Sequence, residues 1–152
     1  MTMASETSAA PSDAPLLQIR DLRVEFSSGG GWTEVVHGID IDFHAGETLA
    51  VVGESGSGKS VTAMSVLGLL PRTARVKGTL RLGDEDLLAA SSRRLQQIRG
   101  GEIGMIFQEP MTALNPVYTI GDQIVGAIRA HRRISRQEAR SHAIDLLRQV
   151  NM

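Results

Sequence analysis

The stretch Thr48-Leu-Ala-Val-Val52-Gly53-Glu54-Ser55-Gly56-Ser57-Gly58-Lys59-Ser60-Val61 decides the fold. Its first five residues form a short continuous apolar run, the pattern of a parallel strand buried on both faces. Glycines follow at once, and Val61 to Leu70 then has the spacing and length of a buried helix ending before Pro71. Residues Gly53 to Ser60 satisfy the phosphate-loop pattern, with four free positions between the outer glycines and then Lys-Ser. Each fixed position has a physical reason. The glycines let the backbone turn tightly against a polyphosphate, so that successive N–H groups and the positive end of the following helix face it. Lys59 places a compact charge between the β- and γ-phosphates, and the Ser60 hydroxyl is a hard oxygen suited to Mg²⁺. Lys59 is one of two lysines beside fourteen arginines, so a lysine stands where a slim stem is needed.

Upstream, Leu16 to Phe26 alternates apolar and polar residues with one irregularity, and Val35 to Phe43 alternates again across a Ser/Gly break. Two antiparallel strands joined by a flexible turn are predicted. Downstream, the pattern predicts a short strand at Gly78 to Leu82, a turn at Gly83 to Asp86, and a serine-capped helix at Ser91 to Ile98. Glu102 to Gln108 reads as a second buried strand, and EPMTALNP after it as an irregular loop, since it holds two prolines. Loops at such strand ends are where open α/β sheets bind ligands. Two helices are expected last, Thr119 to Arg132 and, behind the capping box Ser135-Arg-Gln-Glu138, Ala139 to Val150.

At 152 residues, 41% hydrophobic, 22% charged and without cysteine, the chain has the composition of a globular protein, which excludes collagen-like, disulfide-scaffold and disordered classes. Residues 1–15 read as a small polar tail, lacking the basic start and apolar core of a signal peptide. No apolar run reaches the length of a membrane span. Up to Pro71 there are nine acidic and three basic residues, and from Arg72 eight and thirteen. Arg129, Arg132, Arg133, Arg136, Arg140 and Arg148 lie on a helical pattern interleaved with Asp122, Glu138 and Asp145. With few aromatics for base stacking, this reads as a solvated helix face or a protein contact, and nucleic acid is not expected as a partner.

GESGSGKS, followed some fifty residues later by IGMIFQEPMTALNPVYTIGDQI, closely resembles the ATP-binding subunits of ABC transporters, in the dipeptide/oligopeptide and nickel importer branch. The resemblance runs from about Leu16 to the last residue. It implies an α/β P-loop NTPase (ABC ATPase) fold, with an N-terminal antiparallel β-subdomain and the start of a helical subdomain. Residues 16–118 would form the β-subdomain and the front of the ATP-binding core, with the P-loop at 53–60 and the Q-loop at 108–116. Residues 119–152 would open the helical subdomain. It further implies that ATP is held by Gly53 to Val61, that Lys59 and Gln108 act in catalysis, and that Ser60 and Gln108 serve Mg²⁺. Phe26 matches the aromatic position where adenine stacks, with Trp32 and Phe43 as competitors. Glu109 is assigned to loop structure. Transmembrane permease subunits and a second ATPase subunit are the implied partners, a solute-binding protein an indirect one, and the cytoplasmic face of the inner membrane the implied location.

Mg²⁺ in this class also needs a carboxylate at the end of an apolar strand. No four apolar residues followed by Asp occur after Ser60, and neither the catalytic glutamate nor an LSGGQ-like signature is found. Ser28-Gly29-Gly30 reads as a hairpin turn. His37, His44, His131 and His142 show no metal spacing and read as surface or core residues. The chain is therefore expected to be the truncated front part of a larger ATPase core. Two alternatives stand beside that: a nucleotide-binding module without turnover, and a phosphate-loop kinase or GTPase, which would leave FQEPMTALNP unexplained.

Overall fold

A computed structural model describes residues 14–108 and 114–152. The elements are β1 (Leu17–Ser28), β2 (Gly31–Phe43), α1 (Lys59–Val66), β3 (Ala74–Leu82), β4 (Glu85–Asp86), α2 (Ser92–Gly101), α3 (Ile120–His131) and α4 (Arg136–Gln149). The chain divides into two compact units, Met1–Leu95 and Gln96–Met152.

In the first unit β1 and β2 form the predicted antiparallel hairpin across Gly29 and Gly30, and β3 and β4 extend it into a sheet of order β2-β1-β3-β4. Ile19, Leu22, Val24, Val36 and Leu80 are buried on this sheet, with Val66, Leu67 and Leu87 among the unit's other core residues. The irregularity in the alternation of β1 is a bulge. The register slips between Ile19 and Leu22, and Asp21 takes φ 43°. Its N–H donates to Asp40 Oδ1 at 2.7 Å. A bulge pushes backbone against both neighbouring strands, and each neighbour answers with a glycine. A Cβ on Gly38 (φ 80°) would lie 2.6 Å from Asp21 Oδ1, and one on Gly78 (φ 101°) would collide with the carbonyl oxygens of Arg20 and Asp21.

Three expectations need correction. Residues 47–54 form no strand, and Leu49, Val51 and Val52 are 40, 51 and 92% exposed. Residues 104–107 are likewise irregular, with Ile106 92% exposed and only an isolated bridge between Arg99 and Ile103. Among the described residues neither run has a ladder partner, and a parallel strand forms only inside a sheet that covers it. The helix after the glycine loop is also shorter than expected, running from Lys59 to Val66. Gly68 ends it at φ 58°, where the N–H groups of Gly68 and Leu69 return to the carbonyls of Ser65 and Met64 (3.0 and 2.9 Å).

In the second unit α3 and α4 pack as a helical hairpin. Val125, Ala139 and Ala143 are buried between them, with Ile124, Ile128 and Ile134 against the same cluster. The predicted starts are both present. Thr119 caps α3, its hydroxyl accepting from Asp122 N–H at 3.1 Å. The Ser135–Glu138 box caps α4 reciprocally, with Ser135 N–H donating to Glu138 Oε2 (2.8 Å) and Glu138 N–H to Ser135 Oγ (3.2 Å). Of the arginines on this hairpin, Arg136 pairs with Asp122 at 2.7 Å and Arg148 with Asp145 at 3.2 Å. No helix among the described residues is long and apolar enough to cross a membrane. The tail reading for residues 1–13 and the loop reading for 109–113, Glu109 included, fall outside the described residues.

Candidate phosphate-binding site

The loop Gly53–Ser60 closes on its own lysine. Lys59 Nζ donates to the carbonyls of Gly53 and Glu54, both at 2.6 Å, and to Ser57 Oγ at 3.2 Å. An ammonium has three donors, so all three are directed within the loop. Ser57 N–H donates to Glu54 O at 3.2 Å, which tightens the turn. Two glycines keep this geometry open. A Cβ on Gly53 would lie 2.6 Å from Ser57 Oγ and 3.8 Å from Lys59 Nζ, so it would fill the cradle. Gly58 sits at φ 91° as the residue before α1, and a Cβ there would press on Val35 O and Val36 Cγ2 at 3.2 Å each.

Behind the loop, α1 is anchored from inside. Thr62 returns both its N–H (2.8 Å) and its hydroxyl (3.0 Å) to Gly58 O, and buried Ser65 donates to Val61 O at 2.7 Å. The helix therefore begins at Lys59 with no side-chain cap, which leaves its first N–H groups facing the loop. A groove of about 420 Å³ borders the site, lined among others by Val36, Ile39, Val52, Gly53, Ser57 and Lys59. Its polar atoms come from the loop and from His37 and Asp40 on β2 and Thr62 on α1. Such a cradle, with backbone N–H groups, a helix start and a lysine converging, is chemically suited to a polyphosphate.

The structure brings together Gly53, Glu54, Ser57 and Lys59. Ser55 and Gly56 belong to the same turn, with Gly56 at φ 83°, while exposed Ser60 lies in the first turn of α1 and Val61 is half-buried beside it. Phe26 is half-buried in β1, opposite Thr33 on β2 and Ala74 on β3, and does not line the groove. Its competitors are also placed. Phe43 pairs with Leu17 at the far end of the hairpin, and the guanidinium carbon of Arg75 lies 3.6 Å from the ring centroid of Trp32. Gln108 is exposed in the second unit, next to residues outside the described set. The hold of Ser57 on Lys59 was not legible in advance, because a serine at a free position of the motif carries no signal of its own.

The fold is that of an ATP-binding cassette. A solved dimeric cassette in a post-hydrolysis state, bound to ADP and Pi, superposes with a TM-score of 0.75 at 21% identity, over 90% of this chain and 57% of that one. Residues 36–152 match the sequence profile of the ABC transporter family, and the chain belongs to that family. Its relatives include a Brucella melitensis protein named for peptide import and ATP binding, 49% identical over 140 residues. The oligopeptide transport ATP-binding protein OppD of Mycobacterium tuberculosis is 47% identical over 135 residues, and the dipeptide transport ATP-binding protein DppD of Bacillus subtilis 43% over 139. These matches cover 91, 88 and 90% of this chain, which spans 42, 22 and 42% of the three relatives.

Proposed function

We propose that this chain is the nucleotide-binding part of an importer ATPase subunit, which holds MgATP to energise uptake of peptides across the cytoplasmic membrane. The observation that carries the reading is the glycine loop closed around Lys59, with Gly58 at φ 91°, a conformation that strains any residue with a side chain. The names of the relatives support the peptide cargo, since the ATPase chemistry itself does not contact the solute.

In this reading the N–H groups from Gly53 to Val61 and the start of α1 take the phosphates, and Lys59 neutralises their charge. Ser60 supplies an oxygen to Mg²⁺, which when bound offsets the charge on the β- and γ-phosphates. Gln108 would supply a second polar group to the metal and the γ-phosphate region, and Phe26 a ring for adenine. Residues 16–118 would serve as the β-subdomain and front of the core and 119–152 as the start of a helical subdomain. Permease subunits and a second ATPase subunit are the partners proposed, a solute-binding protein an indirect one, and the site of action is the cytoplasmic membrane face.

A fluorescent ATP analogue titrated with Mg²⁺ tests this. Lys59→Ala removes charge-assisted bonds to phosphate worth about 1.5–3 kcal/mol, so affinity should fall roughly ten- to hundredfold. Unchanged binding would show that Gly53 to Ser60 is not the site. Because the sequence carries no Asp closing an apolar strand beyond the loop, steady-state ATPase activity of the 152-residue chain should not exceed that of Lys59→Ala. Clear turnover would sink the reading that this chain binds without hydrolysing.

A further inference from the structure

From residue 119 to 152 the chain carries six arginines against three carboxylates, and no Asp or Glu occurs from 123 to 137. Each of the three carboxylates is already engaged. Asp122 pairs with Arg136 at 2.7 Å and Asp145 with Arg148 at 3.2 Å, while Glu138 Oε2 accepts from the N–H and the hydroxyl of Ser135 at 2.8 and 2.7 Å. Arg129, Arg132, Arg133 and Arg140 are exposed and pair with no carboxylate among the described residues. The first three of these, with Arg136, fall within eight consecutive residues where α3 passes into α4. The carbonyl end of α3 favours a cation at Arg129, and gives no reason for Arg133 or for Arg140 in the second turn of α4.

The backbone beneath this charge is fixed. Arg132 N–H donates to Ile128 O at 2.9 Å and Ile134 N–H to Arg132 O at 3.1 Å, and Ile134 packs against the Val125, Ala139 and Ala143 cluster. The one large apolar side chain of the turn is thus committed to the hairpin. A specific protein interface takes its energy from aromatic and apolar anchors, and a single-stranded nucleic acid stacks on rings, yet no Phe, Tyr or Trp occurs from 129 to 136. A plane of anionic charge requires neither. We propose that this end of the hairpin rests on anionic phospholipid headgroups, with Arg129, Arg132 and Arg133 as its cationic contacts. Basic clusters of about four to eight residues are what such a surface attracts. The charge surplus stands on the structure alone, and only the choice of a lipid surface over another polyanion rests on the proposed place at the membrane face.

Co-sedimentation of the 152-residue chain with vesicles tests this, using phosphatidylglycerol and phosphatidylcholine in equal parts against phosphatidylcholine alone. The chain should partition onto the mixed vesicles and not the neutral ones, and should leave them as salt rises past about 0.15 M, where the Debye length is about 8 Å. Each arginine near an anionic surface contributes about fivefold, so Arg129→Gln, Arg132→Gln and Arg133→Gln combined should weaken partitioning about a hundredfold. Lysine at the same three positions should keep it within about threefold, because headgroup attraction follows charge and not the guanidinium fork. Arg72→Gln, Arg81→Gln and Arg93→Gln combined remove equal charge from the first unit and should also stay within about threefold. None of these arginines is in an ion pair among the described residues, so helix circular dichroism of every variant should match the parent. Equal partitioning onto neutral vesicles, an unchanged glutamine triple variant, or an equal loss in the first-unit variant overturns the proposal. A loss in the lysine variant overturns it as well, and assigns the arginines to bidentate contacts with a protein or nucleic acid. A chain that takes up anionic vesicles and no ATP analogue refutes the proposed function and leaves this surface standing.

Discussion

The sheet β1–β3 and the run Leu49–Val52 belong to one compact unit, and the run is the more continuously apolar, yet Leu22, Val24 and Leu80 are fully buried while Val52 is 92% exposed. The difference lies in where each strand finds its neighbour. β1 meets β2 across two glycines, and β3 returns to β1 after a single short helix, so every ladder is made within the described sheet. Their alternating pattern needs only one covered face. Leu49–Val52 needs strands on either side and cover on both faces, and none is present among the described residues. Burial in this chain therefore follows topology more closely than hydrophobicity.

The largest expected effect tests this contrast directly. Leu80→Ala empties a fully buried position and should cost about 2–5 kcal/mol in urea unfolding, whereas Val52→Ala should stay within about 0.5 kcal/mol. A Val52→Ala loss as large as that of Leu80→Ala would mean that residue 52 is covered in solution, and the contrast would collapse. Next in size is the bulge, which is what lets β1 keep its apolar residues on one face through the slip. Gly78→Ala puts a Cβ onto the carbonyls of Arg20 and Asp21 at φ 101°, at a cost of about 1–3 kcal/mol. Gly30→Ala, with open space around the added Cβ, should cost within about 0.5 kcal/mol. Equal midpoints for the two variants would show that the bulge is not packed by glycine.

What could be read in the sequence divides along the same line. The phase change between Ile19 and Leu22 was visible as a break in alternation, although the glycines that accommodate it, Gly38 and Gly78, are separated from it by 17 and 57 residues and were not legible as its partners. The capping box and the Thr119 cap were readable because each acts within three residues. The glycine loop was readable as a motif, and the structure adds that Ser57 and two carbonyls hold Lys59. The strand readings at 48–52 and 102–108 failed because periodicity reports which faces a strand needs covered, and says nothing of whether the cover is present.

The smallest effect concerns the α3–α4 hairpin, which like the sheet is complete within itself. Ser135→Ala removes the hydroxyl half of the α4 cap and should cost about 1 kcal/mol at neutral pH. The cap is also an acid-sensitive device. The Ser135 hydroxyl first, and its backbone N–H second, hold the Glu138 carboxyl below the ordinary glutamate value. Asp122 is lowered in the same sense by the Thr119 hydroxyl and then by Arg136. A carboxylate whose folded pKa is depressed contributes stability above its unfolded pKa, near 4.3 for glutamate, and loses it as pH falls through the lower folded value. The gap between parent and Ser135→Ala midpoints, followed by helix circular dichroism in urea from pH 7 downward, should therefore narrow as the pH falls below the unfolded glutamate value, leaving the part carried by Glu138 N–H on Ser135 Oγ. A gap that stays constant down to pH 3 would assign the cap to the Ser135 hydroxyl and the Glu138 N–H alone. The α4 start would then be as indifferent to acid as the ladders of the sheet, whose backbone bonds do not titrate.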